Sequence, residues 1–102
     1  MGRAVIGKTS DFPPDKMQKI SVDGKDVLVL NLDGSYYAID DTCTHMGASL
    51  AEGQLEGSTV ICGWHGANFD CKSGKLEKFP AKINDLKSYK VVIESNDVIL
   101  EA

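Results

Sequence analysis

An all-β fold of stacked antiparallel sheets is predicted for this 102-residue chain by three observations. Short apolar stretches recur along most of its length. The breaks between them are turn sequences: Asp23-Gly24, Asp33-Gly34, Ser73-Gly74 and Ser95-Asn96-Asp97. No segment has the length for a substantial helix, so strands joined by tight turns remain, and sheets bury their apolar faces by packing on one another.

Taken in order, Arg3 to Gly7 reads as a brief strand, which Asp11-Phe12-Pro13-Pro14-Asp15 cannot continue because two prolines remove ladder donors. Met17 to Val22 and Lys25 to Leu32 flank Asp23-Gly24, and Ser35 to Asp40 follows Asp33-Gly34. Each Asp-Gly signals a type I′ hairpin, whose two central residues both need positive φ. Val27-Leu28-Val29-Leu30 is apolar on both faces and predicts a central strand packed above and below. From Asp41 to Gly57 the strand pattern stops, with Ala48-Ser49-Leu50 as a helical turn. It resumes at Thr59-Val60-Ile61. Asn68 to Cys71 and Lys75 to Phe79 flank Ser73-Gly74, and Tyr89 to Glu94 with Val98 to Glu101 make a terminal hairpin.

Composition excludes several classes. A chain this short has room for one domain, which buries roughly 65% of the surface its unfolded form exposes. It contains no run of eighteen apolar residues, so no membrane helix is expected, and Met1 to Ser10 lacks the apolar core of a secretory signal. A net charge of −4 with dispersed Lys and Arg speaks against nucleic acid, whose phosphates demand a basic face. The chain has three cysteines. With two of them assigned to a metal centre, Cys71 is left alone, no internal disulfide forms, and a reducing cytoplasm is expected. Cys71 itself reads as a buried strand residue.

The chemistry lies between Cys43 and His65, which hold both histidines and two of the three cysteines. One arm is Cys43-Thr44-His45 with Met46-Gly47 behind it; the other is Cys62-Gly63-Trp64-His65 with Gly66 behind it. Each pairs a soft thiolate with a borderline imidazole, a donor set for a metal that accepts nitrogen and sulfur. A structural zinc ion usually draws cysteines from one knuckle and histidines from another. Here every arm is mixed, which suits a centre with two unlike metal positions, one held by both cysteines and the other by both histidines. A zinc module stays as an alternative.

This arrangement resembles the Rieske family, whose pattern is C-x-H, a gap of fifteen to seventeen residues, then C-x-x-H-G. The likeness continues through Phe69-Asp70, Ser73-Gly74 and Pro80-Ala81. It implies a Rieske-type fold: a base of antiparallel sheets over roughly residues 1–42 and 79–102, and an inserted cluster-binding subdomain over roughly 43–78. The cofactor implied is one [2Fe-2S] cluster, with Cys43 and Cys62 on one iron and His45 and His65 on the other. Around it would lie Met46, Gly47, Gly63, Gly66, Trp64 as a shield against water, and Pro80 in a loop covering the third side. The glycines would let backbone N–H groups approach the sulfides.

Departures from the family pattern carry information. The respiratory branch has a cysteine in each loop forming a disulfide; the matching positions here are Ala48 and Trp64. Its hydroxyl donors correspond to Ala67 and Phe69, which have none, and Gly63 stands where many relatives have proline. Without those donors the potential is expected near the negative end of the Rieske range, about −150 to 0 mV. The resemblance thus implies a soluble one-electron carrier, taking electrons from a flavoprotein reductase and giving them to an oxygenase or similar enzyme. A small subunit of a larger redox enzyme, of the nitrite-reductase kind, is the second reading. A complete Rieske oxygenase is excluded by counting, because its catalytic iron needs histidines beyond the two present, and no substrate pocket is expected.

Overall fold

The structure, a computed structural model, describes residues 3–43, 47–63, 66–78 and 84–101. Among the described residues, ten strands make two antiparallel sheets, and the only helical segments are two 3₁₀ turns of three residues each. The strands are β1 (Arg3–Lys8), β2 (Met17–Val22), β3 (Lys25–Leu32), β4 (Ser35–Asp40), β5 (Gln54–Glu56), β6 (Thr59–Ile61), β7 (Asn68–Asp70), β8 (Leu76–Lys78), β9 (Ser88–Glu94) and β10 (Asp97–Glu101). The larger sheet has the order β1-β10-β9-β4-β3-β2; the smaller has β5-β6-β7-β8. All-β architecture is therefore observed as expected.

Local chemistry accounts for the hairpins. Asp23 and Gly24 have φ of 50° and 79°, and Asp33 and Gly34 have 55° and 86°, the positive pair that a type I′ turn requires. Ser95 and Asn96 take the same geometry at 48° and 72°, so the last turn has two residues and β10 already begins at Asp97. The strand β3 explains how the layers stack. Val27 and Val29 face a core with Phe12, Ala38, Val98 and Leu100, while Leu28 and Leu30 face a second core with Ile39, Leu50, Val60 and Phe69. All four β3 residues are fully buried, which is why this run is apolar on both faces. The second core joins the two sheets.

Three expectations need correction. The helical turn is Leu50–Glu52 rather than Ala48–Leu50, because the backbone of Ser49 is extended and pairs with Thr42. The segment 54–56 is a strand, β5, although it holds a single apolar residue, Leu55, between two glycines; pairing with β6 decides its conformation. Cys71 is fully buried, but it lies in the turn after β7, where its N–H donates to the Ser58 carbonyl at 2.9 Å.

Candidate metal centre

The two arms leave their strands in the same way. Following β4, Cys43 donates its N–H to the Ala48 carbonyl at 2.8 Å; following β6, Cys62 donates its N–H to the Ala67 carbonyl at 2.8 Å. Both bonds close a loop onto the residue five positions on. Gly47 and Gly66 occupy the same place in each loop, one residue before the accepting alanine, with φ of 76° and 72°. That conformation costs an ordinary residue about 1–2 kcal/mol. The glycines are thus required by the backbone, and an added β-carbon would meet no described atom within 4 Å. The first loop has a further bond, from the Gly47 N–H to the Cys43 carbonyl at 3.0 Å.

Both cysteines are 2% exposed and lie in one apolar cluster with Ala48, Ala67, Leu50, Val60 and Phe69. No disulfide joins any of the three cysteines. Two thiols at the roots of two matched loops, facing a common apolar region, suit a soft cation and fit the sulfur half of a [2Fe-2S] donor set. His45 and His65, with Met46, Trp64 and Pro80, lie outside the described residues. Gly63 is exposed, and its β-carbon position stands 3.5 Å from the Glu52 carbonyl oxygen, so ordinary packing rather than positive φ holds it.

Two supports around the arms were not assigned from the sequence. Asp41 is 1% exposed, and its carboxylate accepts the Ser49 hydroxyl at 2.6 Å and the Ala51 N–H at 2.9 Å. Nothing in the sequence separates this residue from its neighbour Asp40. On the other side, Asp70 accepts the N–H and the hydroxyl of Ser73 at 3.2 and 2.7 Å, which gives the Phe69-Asp70 and Ser73-Gly74 signature a structural reason. At the root of the first arm, Tyr89 donates its hydroxyl to Asp40 at 2.6 Å while Lys25 approaches the same oxygen at 3.3 Å. Burial and the adjacent Asp40 push the Tyr89 phenol up. At Cys71, outside both arms, burial pushes the thiol up to about 11.

An open cleft of about 470 Å³ lies between the β3–β4 and β5–β6 turns, lined by Asp15, Asp33, Tyr37 and Lys72 among others. None of its described lining residues belongs to an arm.

Comparison with known proteins agrees with this geometry. Residues 2–90 match the Rieske [2Fe-2S] domain. The chain is 33% identical over 101 residues to the ferredoxin component of biphenyl 2,3-dioxygenase from Rhodococcus jostii, covering 99% of this chain and 94% of that protein. It is 37% identical over 92 residues to the biphenyl dioxygenase ferredoxin subunit of a Pseudomonas species, covering 89% and 84%. Among solved structures it superposes with a TM-score of 0.89 and 28% identity on a chain from the complex of reduced oxygenase and oxidized ferredoxin in carbazole 1,9a-dioxygenase, covering 97% of this chain and 92% of that one. The chain belongs to the Rieske [2Fe-2S] domain family. Within it, the chain is of the ferredoxin type, an electron carrier with a [2Fe-2S] cluster.

Proposed function

We propose that this protein is a cytoplasmic ferredoxin that carries one electron at a time from a flavoprotein reductase to the terminal oxygenase of a dioxygenase system. The observation that supports it best is the matched pair of arms: Cys43 and Cys62, each closed onto an alanine five residues on and each followed by a positive-φ glycine, meet in one apolar cluster. We take Cys43, His45, Cys62 and His65 as the ligands. When bound, the cluster supplies a one-electron couple whose potential histidine ligation raises above that of four-cysteine ferredoxins.

This chain's residues contribute placement and exclusion of water. Burial of Cys43 and Cys62 keeps their sulfurs from solvent. The loop-closing bonds fix their backbones, and Gly47, Gly63 and Gly66 are exposed. We read the six-stranded sheet as the base, with residues 1–42 and 79–102, and the four-stranded sheet within 43–78 as the cluster-binding subdomain. The cytoplasmic placement rests on cysteines free of disulfides and on relatives named as ferredoxin components; no helix among the described residues is long and apolar enough to cross a membrane.

Ala67 and Phe69, both fully buried, provide no hydroxyl. A low potential follows, which suits delivery from a reduced flavoprotein and not oxidation of quinol. Voltammetry tests this: a midpoint of about −150 to 0 mV is expected, whereas one near +300 mV would contradict the ferredoxin role.

A further inference from the structure

We propose that Asp41 is a positioning residue for the metal centre, acting through the turn Leu50–Glu52 as a spacer that sets the separation of the two ligand arms. The inference rests on the reading of Cys43 and Cys62 as ligands. The turn stands between the arms and is held from both sides. On the side of the first arm, the Asp41 carboxylate accepts the Ser49 hydroxyl at 2.6 Å and the Ala51 N–H at 2.9 Å, and the Asp41 carbonyl accepts the Leu50 N–H at 2.8 Å. Three bonds to three successive residues therefore come from the residue two positions before Cys43. Thr42 adds a bridge to Ser49.

On the side of the second arm the contact is made by backbone alone. Gly53 ends the turn, donating its N–H to the Leu50 carbonyl at 3.0 Å. A β-carbon on Gly53 would stand 2.0 Å from the Ile61 carbonyl oxygen and 3.1 Å from the Gly63 nitrogen, the residues on either side of Cys62. One on Gly63 would stand 3.5 Å from the Glu52 carbonyl oxygen. The turn thus touches both neighbours of one ligand while being fastened next to the other. A carboxylate suits the fastening, since its two oxygens accept two donors at once, and burying it is offset only while both bonds are kept. Removing them leaves the turn free to slide and the arms free to change their spacing.

The test compares Asp41→Ala, Asp41→Asn and Ser49→Ala in the cluster-loaded protein, reading the g values of the reduced state by electron paramagnetic resonance and the rate of cluster loss to a chelator. Asparagine keeps an oxygen for the Ala51 N–H and offers an amide hydrogen to the Ser49 oxygen. It should restore parental g values and a loss rate within about twofold, whereas Asp41→Ala should shift the g values and lose its cluster about tenfold faster, as expected for one lost buried hydrogen bond or more. Ser49→Ala, which removes a single bond, should fall between them and decides the matter where Asp41→Ala does not assemble. Gly53→Ala, which displaces the same turn from its other side, should shift the same g values, and adding Asp41→Ala should give less than the sum of the two shifts. A merely structural role would lower the melting temperature and leave the g values parental. That result, or an asparagine variant as impaired as the alanine one, would overturn the proposal. A wrong ligand assignment would show separately, as a Cys43→Ser or Cys62→Ser variant that keeps its cluster.

Discussion

Gly74 and Leu86 are in direct backbone contact: the Leu86 N–H donates to the Gly74 carbonyl at 2.7 Å, and a β-carbon on Gly74 would stand 2.3 Å from the Leu86 carbonyl oxygen. This contact ties the β7–β8 hairpin of the small sheet to the segment entering β9 of the large one. Gly74 also has φ of 78°. Gly74→Ala should therefore cost about 2–4 kcal/mol, adding backbone strain to overpacking. A calorimetric scan should show the melting temperature falling by roughly 10 °C or more. Gly63→Ala, where a β-carbon meets only ordinary contacts, should change stability by less than about 0.5 kcal/mol.

Cysteine substitutions test the proposed ligands against Cys71. Cys43→Ser or Cys62→Ser should abolish cluster assembly, while Cys71→Ser should retain it, because Cys71 belongs to the turn after β7 and to neither arm. The visible spectrum of each purified variant is the readout, and loss of colour in the Cys71 variant would contradict the assignment.

The missing hydroxyl donors can be supplied. Ala67 and Phe69 are fully buried beside Cys62 in the second core, so new hydroxyls there have little water to satisfy them. Ala67→Ser with Phe69→Tyr should raise the midpoint, since each charge-assisted bond is worth roughly 1.5–3 kcal/mol. For a one-electron couple that is about 65–130 mV per bond at 59 mV per tenfold. Voltammetry of the double variant checks the sign; an unchanged or lowered midpoint would contradict it.

Alkaline pH should expose the buried thiol. Cys71 is held protonated up to about 11 from an ordinary 9.0, chiefly by burial and secondarily by the charge of Asp70. Its folded value is raised, so the stability it contributes is complete below pH 9 and is lost as the pH rises from 9 towards 11. The loss is at most about 1.4 kcal/mol per pH unit. Denaturant unfolding across that range should show the decline, and Cys71→Ala should remove this component.

Much of the fold was legible because the signals were local. Asp-Gly pairs specify their own turn conformation, and Val27 to Leu30 announces two cores by being apolar on both faces. β5 was not legible, since Gln54 and Glu56 become strand residues only by pairing with Ile61 and Thr59. The arms were legible as two similar Cys and His segments, and the structure folds Cys43 and Cys62 into matched loops. Their supports were not: nothing in the pair Asp40-Asp41 marks the second carboxylate as a clamp, and it acquires meaning only when Ser49 and Ala51 fold back to it. The same holds for Gly53, whose need for a bare α-carbon arises from the Ile61 carbonyl brought against it.

The central claim is a cluster with mixed ligation by Cys43, His45, Cys62 and His65, and pulsed electron paramagnetic resonance of the reduced protein tests it most directly. Two strongly coupled nitrogens on a [2Fe-2S] signal are expected, one lost in each of His45→Cys and His65→Cys. A spectrum without nitrogen coupling, or a colourless protein with no signal and one bound zinc, would contradict the account.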